Sequence, residues 1–352
     1  MKKGPEIRGL FCFFGRGDRI RTYDPLVPNQ MRYQAALRPD KAILTHNHWM
    51  LSTLDTATNP LKGVRVLTLA LNLPGPAAVM RLKAMGAKCT KLEPLAAAGK
   101  HTADPMGIYK PAAYQEMHQG LKVLQADLKS ERGQAALHKQ LAQTDVLITS
   151  FRPSALVKLG LTWRALHKRY PALCMVSIVG ALGERAEEAG HDLTYQAEAG
   201  LVNGLDVPAS LYADMSGALF ATEAVLQALL LRQRPGRSQG KGVFHEVALS
   251  QASAFVALPR TWGLTTSTGE VGGAHAGYKV YPCKNGRVAV AALEPHFAQR
   301  LCEAAGLAQQ AALQMHKRTT HQGIAQFLAT QTRAQLDKLA SSKDIPLHTL
   351  PR

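Results

Sequence analysis

Residues 63–94 read GVRVLTLALNLPGPAAVMRLKAMGAKCTKLEP, and the order of signals in this stretch decides the fold class. Gly63 to Ala70 is a short apolar run bounded by turn formers, the pattern of a parallel strand buried on both faces. A turn holding Pro74, Gly75 and Pro76 follows, then a helical stretch from Ala77 to Met85 that Gly86 closes as a C′ residue. Lys88 to Leu92 is the next strand, so the whole stretch is one βαβ unit. Downstream the alternation continues: strand at Leu121–Ala126, helix at Glu131–Gln143, strand at Asp145–Ser150, helix at Trp163–Arg169 and strand at Leu173–Val179. It predicts an α/β domain with a mostly parallel sheet, whose ligands sit outside the carboxyl ends of the strands.

After residue 180 the pattern changes. A polar loop leads to Gly190-His191-Asp192, a long helix runs from about Met215 to Arg234, and a basic glycine-rich turn occupies Pro235–Gly242. Residues 279–352 read as a smaller α+β unit, with a strand at Val288–Ala292 and helices after Pro295, near Ile324 and near Gln335. The expected division is an N-terminal extension over 1–59, a Rossmann-like large domain over 60–240, a linker over 241–278 and a small domain over 279–352.

Composition sets the outer bounds. The 352 residues are 46% hydrophobic and 19% charged, enough apolar material to exclude wholesale disorder. The formal net charge is +17, of which residues 1–49, with nine Lys/Arg against four Asp/Glu, supply +5. Those residues show no helical or strand period. Their stretch GRGDRIRTYDPLVPNQMRYQAALRPD resembles the conceptual translation of a stable-RNA gene, so the extension is read as a disordered arm or a mis-assigned start, with the true start at Met50. The basic surplus points to an anionic partner, but aromatics are too sparse for a base-stacking platform, and a nucleic-acid-binding role rests on charge alone. The five cysteines include no CxxC pair, so neither a disulfide framework nor a metal site is expected, and a cytoplasmic setting fits. No membrane association is expected: the longest apolar stretch, Leu219–Leu231, is interrupted by Thr222, Glu223 and Gln227. Gly236–Gly242 lacks the spacing of a P-loop, His245-Glu246 lacks the second histidine of a metalloprotease helix, and no GxSxG serine elbow occurs.

Eight segments carry a family resemblance: GVRVLTLALNLPGPAA, GAKCTKLEP, LQADLKSERG, DVLITSFRPSALVKLGL, GHDLTYQAEAG, LYADMSGALFATEAVLQALL, GKGVFHEVAL and AALEPHF. In this order they resemble the family III CoA-transferases, a family that also holds 2-methylacyl-CoA racemases and carnitine/bile-acid CoA-transferases. The resemblance spans about residues 60–350. It implies a Rossmann-like large domain and a smaller α+β domain in an intertwined homodimer, with a coenzyme A thioester as substrate, a carboxylic acid as acceptor and no permanently bound cofactor.

It also assigns residues. Asp214 matches the aspartate that takes the acyl group as a mixed anhydride, or exchanges the α-proton with His191 in the racemases, where Glu294 supports the histidine. Arg152 and Lys158 match positions near the CoA phosphates, and Lys122 is a weaker candidate. Elementary chemistry agrees. A carboxylate just ahead of the long helix faces its amide dipoles, which favours the ionised form a nucleophile needs. Amides near Ser216 and Gly217 are then positioned for a thioester oxyanion, and a histidine exchanges protons near neutrality. Taken without the resemblance, Asp214 reads as a helix N-cap, and Asp192 reads as a local hydrogen-bonding residue of its turn.

Departures from the family pattern leave alternatives open. His118-Gln119-Gly120-Leu121-Lys122 replaces the usual Asn-Arg-x-Lys, Ala213 replaces a glycine, and the chain stops at Arg352, short of the return segment of its relatives. The expected activity is acyl-CoA:carboxylate CoA transfer through Asp214. The alternatives are 2-methylacyl-CoA racemisation by His191 and Asp214, or a non-catalytic CoA-binding or nucleic-acid-binding protein.

Overall fold

The computed structural model describes residues 59–236 and 239–352. The extension up to residue 58, with the candidate start at Met50, lies outside the described residues, as does Arg237 of the basic turn. The first part of the chain forms β1 (Arg65–Thr68), α1 (Pro74–Ala84), β2 (Lys88–Glu93), α2 (Pro105–Tyr109), α3 (Pro111–Met117) and β3 (Lys122–Gln125). Then come α4 (Glu131–Leu141), β4 (Val146–Thr149), α5 (Pro153–Lys158), α6 (Trp163–Arg169), β5 (Cys174–Val179), α7 (Asp192–Glu198), α8 (Tyr212–Gln233), β6 (Phe244–Ala248) and α9 (Leu249–Val256).

Six of these strands form one parallel sheet in the order β3-β2-β1-β4-β5-β6, the order of doubly wound dinucleotide-binding sheets. Alternation of side chains sorts the apolar runs into two cores. Val66, Val146 and Val176 face Val79 and Leu82 of α1 and Ala221 and Val225 of α8. Their neighbours Leu67, Leu147 and Met175 face Leu137 of α4, Leu156 of α5 and Leu166 of α6. Both faces are covered, which is why these strands are nearly continuous in apolar residues. Helix α1 stops where Gly86 takes φ +95°, as the sequence predicts.

The long helix begins earlier than expected, at Tyr212, and runs 22 residues. By length and composition alone it could cross a bilayer. Its small residues Ala213, Gly217, Ala221, Ala224 and Ala228 are instead buried in the sheet core, which makes it a core helix of this domain. The expected linker needs correction as well. Its first residues are β6, paired in parallel with β5 from Met175↔Phe244 to Val179↔Ala248. The large sheet is therefore completed inside 241–278, by a segment whose strand signal, Val243–Ala248, is short and mixed with His245 and Glu246.

The remaining elements are α10 (Leu258–Thr261), β7 (Tyr278–Cys283), β8 (Gly286–Ala291), α11 (Pro295–Ala304), α12 (Arg318–Thr330), α13 (Arg333–Lys343) and β9 (Leu347–Leu350). The three strands form an antiparallel sheet, β7-β8-β9. Tyr281, Val288 and Val290 of that sheet bury against Leu301 of α11, Ile324 and Leu328 of α12, and Leu336 of α13. This matches the expected α+β unit.

Candidate active site

A cleft of about 200 Å³ opens at the carboxyl edge of the large sheet. Leu71 and Asn72 enter it from the end of β1, Phe151 and Arg152 from the end of β4, Val179 from β5, and Leu249 from just beyond β6. The chain builds β1 to β3 on one side and then returns to lay β4 on the other side of β1. The gap between the loops after β1 and β4 is thus the topological switch point, where open α/β sheets place their ligands.

His191, Tyr195 and Asp214 line this cleft together, along with Ser150, Arg152 and Glu188. Two glycines explain how α7 reaches it. A Cβ at Gly180 would lie 2.1 Å from the Tyr195 hydroxyl, and one at Gly190 would lie 2.3 Å from it. Only residues without a side chain let the ring pass between the end of β5 and the turn before α7. His191 is the N-cap of α7 and is exposed toward solvent. Its backbone is fixed by Thr194, whose Oγ1 accepts from the His191 amide at 3.1 Å and donates to the His191 carbonyl at 2.7 Å.

Asp214 does not precede the long helix. It is the third residue of α8, whose N-cap position holds Leu211 and has no side-chain cap. The amides of Ser216 and Gly217 therefore fall inside the helical hydrogen-bond ladder and are not the oxyanion donors the sequence suggested. Nor does the helix dipole dominate the titration of this carboxyl. Burial, and then the neighbouring Asp192, push its pKa up to about 7. Desolvation by burial outweighs the dipole, whose effect is of the order of 1 kcal/mol or less.

This shift has a consequence for stability. A carboxyl with a raised folded-state pKa contributes fully below its unfolded value near 4 and loses that contribution as pH rises through about 7. Asp214→Asn, which cannot ionise, should therefore be more stable than the wild type at pH 8, by roughly 1–2 kcal/mol once partial solvent screening is allowed for. The difference should vanish near pH 4. Urea unfolding at the two pH values measures it.

Asp192 is not merely a local turn residue. It is buried, its Oδ1 accepts from the Asp214 amide at 2.9 Å, and its Oδ2 accepts from the Gln196 carboxamide. It supplies the cap that Leu211 cannot give.

The other expected site residues separate. Arg152, the N-cap of α5, lies on the rim of the cleft and is its only permanent cation among the described residues. Lys158 is exposed in the last turn of α5 and does not line the cleft. Lys122 is the first residue of β3, at the amino end of an edge strand, so it stands at the opposite edge of the sheet. Glu294 is the exposed N-cap of α11 beside the small sheet and does not line this cleft, so His191 has no support from it within the chain.

Sequence reasoning missed the support behind Asn72. That residue takes φ +63°, and its amide donates to Asp104 Oδ1 at 3.0 Å. Asp104 in turn holds Lys91 Nζ at 2.5 Å. Lys91 is fully buried and also reaches Glu93 at 3.4 Å and His118 Nε2 at 2.9 Å. Burial, and then Lys91, hold the His118 pKa below its ordinary value. The residue that replaces the usual asparagine of the family pattern therefore faces inward. The available signal was a lysine in the interior of a strand, Lys91, and an asparagine two residues ahead of Pro74, a type that tolerates the left-handed region.

Fold and cleft together define a doubly wound α/β protein whose sheet edge presents a carboxyl, an imidazole and a guanidinium around one small cavity. The chain belongs to CoA-transferase family III, whose sequence profile matches residues 61–351. It is 33% identical over 159 residues to cinnamoyl-CoA:phenyllactate CoA-transferase of Clostridium sporogenes, covering 43% of this chain and 38% of that one. It is 29% identical over 261 residues to alpha-methylacyl-CoA racemase of Mus musculus, covering 70% of this chain and 65% of the relative. The matched region thus spans less than two thirds of either relative's length. Among solved structures, Rv3272 of Mycobacterium tuberculosis shares the fold, with TM-score 0.70 at 22% identity over 83% of each chain.

Proposed function

We propose that this chain is an acyl-CoA:carboxylate CoA-transferase that works through an acyl-aspartyl intermediate on Asp214. The observation that carries the reading is the placement of Asp214 in the cleft at the switch point, in one lining with His191 and Arg152. In the first step an Asp214 carboxylate oxygen bonds to the thioester carbon, the C–S bond breaks and CoA leaves as its thiolate. The product on the enzyme is a mixed anhydride, which the acceptor carboxylate and the returning thiolate resolve into the new thioester and free acid. Arg152 at the rim, with Lys158 further along α5, would face the phosphates of CoA. A homodimer goes with this reading: Leu219 and Leu230 of α8, Phe255 of α9 and Trp262 are large exposed apolar side chains that a second chain would cover.

Only the ionised carboxylate attacks. With its pKa near 7, transfer should rise with pH through neutrality and level off about a unit above it. Mass spectrometry after incubation with a panel of acyl-CoAs tests the intermediate, with hydroxylamine converting an acylated Asp214 to a hydroxamate. A mass increase confined to Asp214 is expected; its absence with every acyl-CoA that turns over would sink the reading.

One observation favours a second reading. A carboxyl titrating near 7 can both give and take a proton, and it shares the cleft with His191. That is what racemisation of a 2-methylacyl-CoA requires, one group removing the α-proton and the other returning one. Deuterium exchange at the α-carbon separates the two: incorporation without an Asp214 adduct means racemase, and an adduct without incorporation means transferase.

A further inference from the structure

Helix α8 brings Asp214 into the cleft without a capping side chain of its own, so something else must fix its first turn. That something is α7. Asp192, at its first position, receives the Asp214 amide on Oδ1. One helical turn later Gln196 donates from the same Nε2 to Asp192 Oδ2 and, at 3.1 Å, to the Ser210 carbonyl just ahead of α8. Asp192 and Gln196 are both almost wholly buried. The two residues hold the start of α8 at two points, one on each side of Leu211.

The chemistry of this clamp is unusual for a cap. An amide alone would be satisfied by a serine, threonine or asparagine oxygen at similar gain. Here the acceptor is a buried carboxylate whose hydrogen-bond partners, one backbone amide and one carboxamide, are both neutral. A buried charge held that way acts on its surroundings with little screening. One group in the cleft that feels this charge is another carboxyl, that of Asp214.

We infer that Asp192 is a positioning residue for Asp214: its carboxylate fixes the backbone that carries Asp214 and sets a like charge beside the Asp214 side chain. The inference rests on Asp214 being the reacting group. The other ionisable groups around Asp214 are His191 and Tyr195 from α7 and its N-cap, Arg152 after β4, Glu188 on the preceding loop and Tyr109 at the end of α2. The other elements packed on this end of α8 supply Pro74, Ile178 and Leu249, which carry no charge. Among these groups Asp192 alone bonds directly to the Asp214 backbone.

Asp192→Asn separates charge from position. The amide oxygen of asparagine still accepts from the Asp214 N–H, so the clamp stays while the like charge goes. The expected result is a pH–rate profile displaced to lower pH by about one unit. Asp192→Ala removes both and should lower kcat by about 10²-fold through misplacement, with KM for the acyl-CoA little changed. A direct reading needs no Asp192 variant to fold: the ¹³C carboxyl resonance of Asp214, assigned by its loss in Asp214→Asn, should titrate near neutrality in the wild type. An unshifted profile in Asp192→Asn, or a wild-type resonance that titrates in the ordinary carboxylate range, overturns the role given to Asp192. Acyl transfer or α-exchange persisting in Asp214→Asn overturns instead the assignment of Asp214 on which that role depends.

Discussion

Asp214→Ala is expected to lower turnover of an acyl-CoA substrate by about 10³-fold or more, whichever of the two reactions the chain performs. In transfer an Asp214 carboxylate oxygen is the atom that bonds to the acyl carbon. His191 and Tyr195 share the cleft but are not carboxylates, and Glu188, the other carboxyl on its wall, is exposed and paired with Arg185. In racemisation the loss of one member of an acid/base pair stops the exchange of protons between the two faces of the α-carbon. The comparison with His191→Ala is what makes the experiment specific. Racemisation should fall as far as in Asp214→Ala, while transfer should fall by only about 10-fold, because the histidine would then serve orientation and not bond formation. The fold should survive both changes, since Asp214 is a net cost to stability above neutral pH and His191 is exposed. Steady-state kinetics with far-UV circular dichroism as a control of structure decides the matter. Wild-type rates in Asp214→Ala would remove the central assignment.

The second large effect is on stability. Lys91→Met is expected to destabilise the protein by about 3–5 kcal/mol. Lys91 is fully buried, with Asp104 at 2.5 Å and Glu93 at 3.4 Å. Removing the ammonium leaves two carboxylates in the interior with no cation between them, at a cost far above that of a lost surface ion pair. Asp104 also accepts the amides of Asn72 and Met106, each at 3.0 Å, so its displacement would reach the left-handed Asn72 at the cleft wall. The double variant Lys91→Met/Asp104→Asn should recover part of the loss, since one buried charge has gone with its partner. A coupling well above 0.5 kcal/mol in the resulting cycle is the expected sign of direct interaction. Additive losses would mean that the three groups act separately.

The sheet was legible in the sequence because buried parallel strands and their crossover helices alternate with clear punctuation. Gly63–Ala70 and Gly86 each act locally, so local reading suffices for them. β6 escaped because His245 and Glu246 break its apolar run, and its strand identity comes from pairing with β5, 60 or more residues away. The start of α8 was placed too late for a related reason. Its first turn is stabilised from α7, by Asp192, and a chain read in order shows no cap at Leu211. Within the site, the residue types at 191 and 214 could be matched to a motif, but their environments could not. The displacement of the Asp214 pKa comes from walls contributed by four different strand ends, and a single stretch of sequence contains none of that. Lys122 and Glu294 show the converse case. A motif match carried them toward the site, while the topology sets Lys122 at the far edge of the sheet and leaves Glu294 outside this cleft.

The parallel sheet also fixes when the cleft can exist. Its walls are drawn from Leu71 near one end of the domain and Leu249 near the other, with β4 and β5 between them. A nascent chain emerging from the ribosome can pair β1, β2 and β4 early, yet its cavity stays open on one side until Phe244–Ala248 has emerged and β6 has docked. Closure of the cleft is thus a late event in the large domain's synthesis. A chain stalled before that point would carry most of the sheet, Asp214 included, around an unfinished cleft.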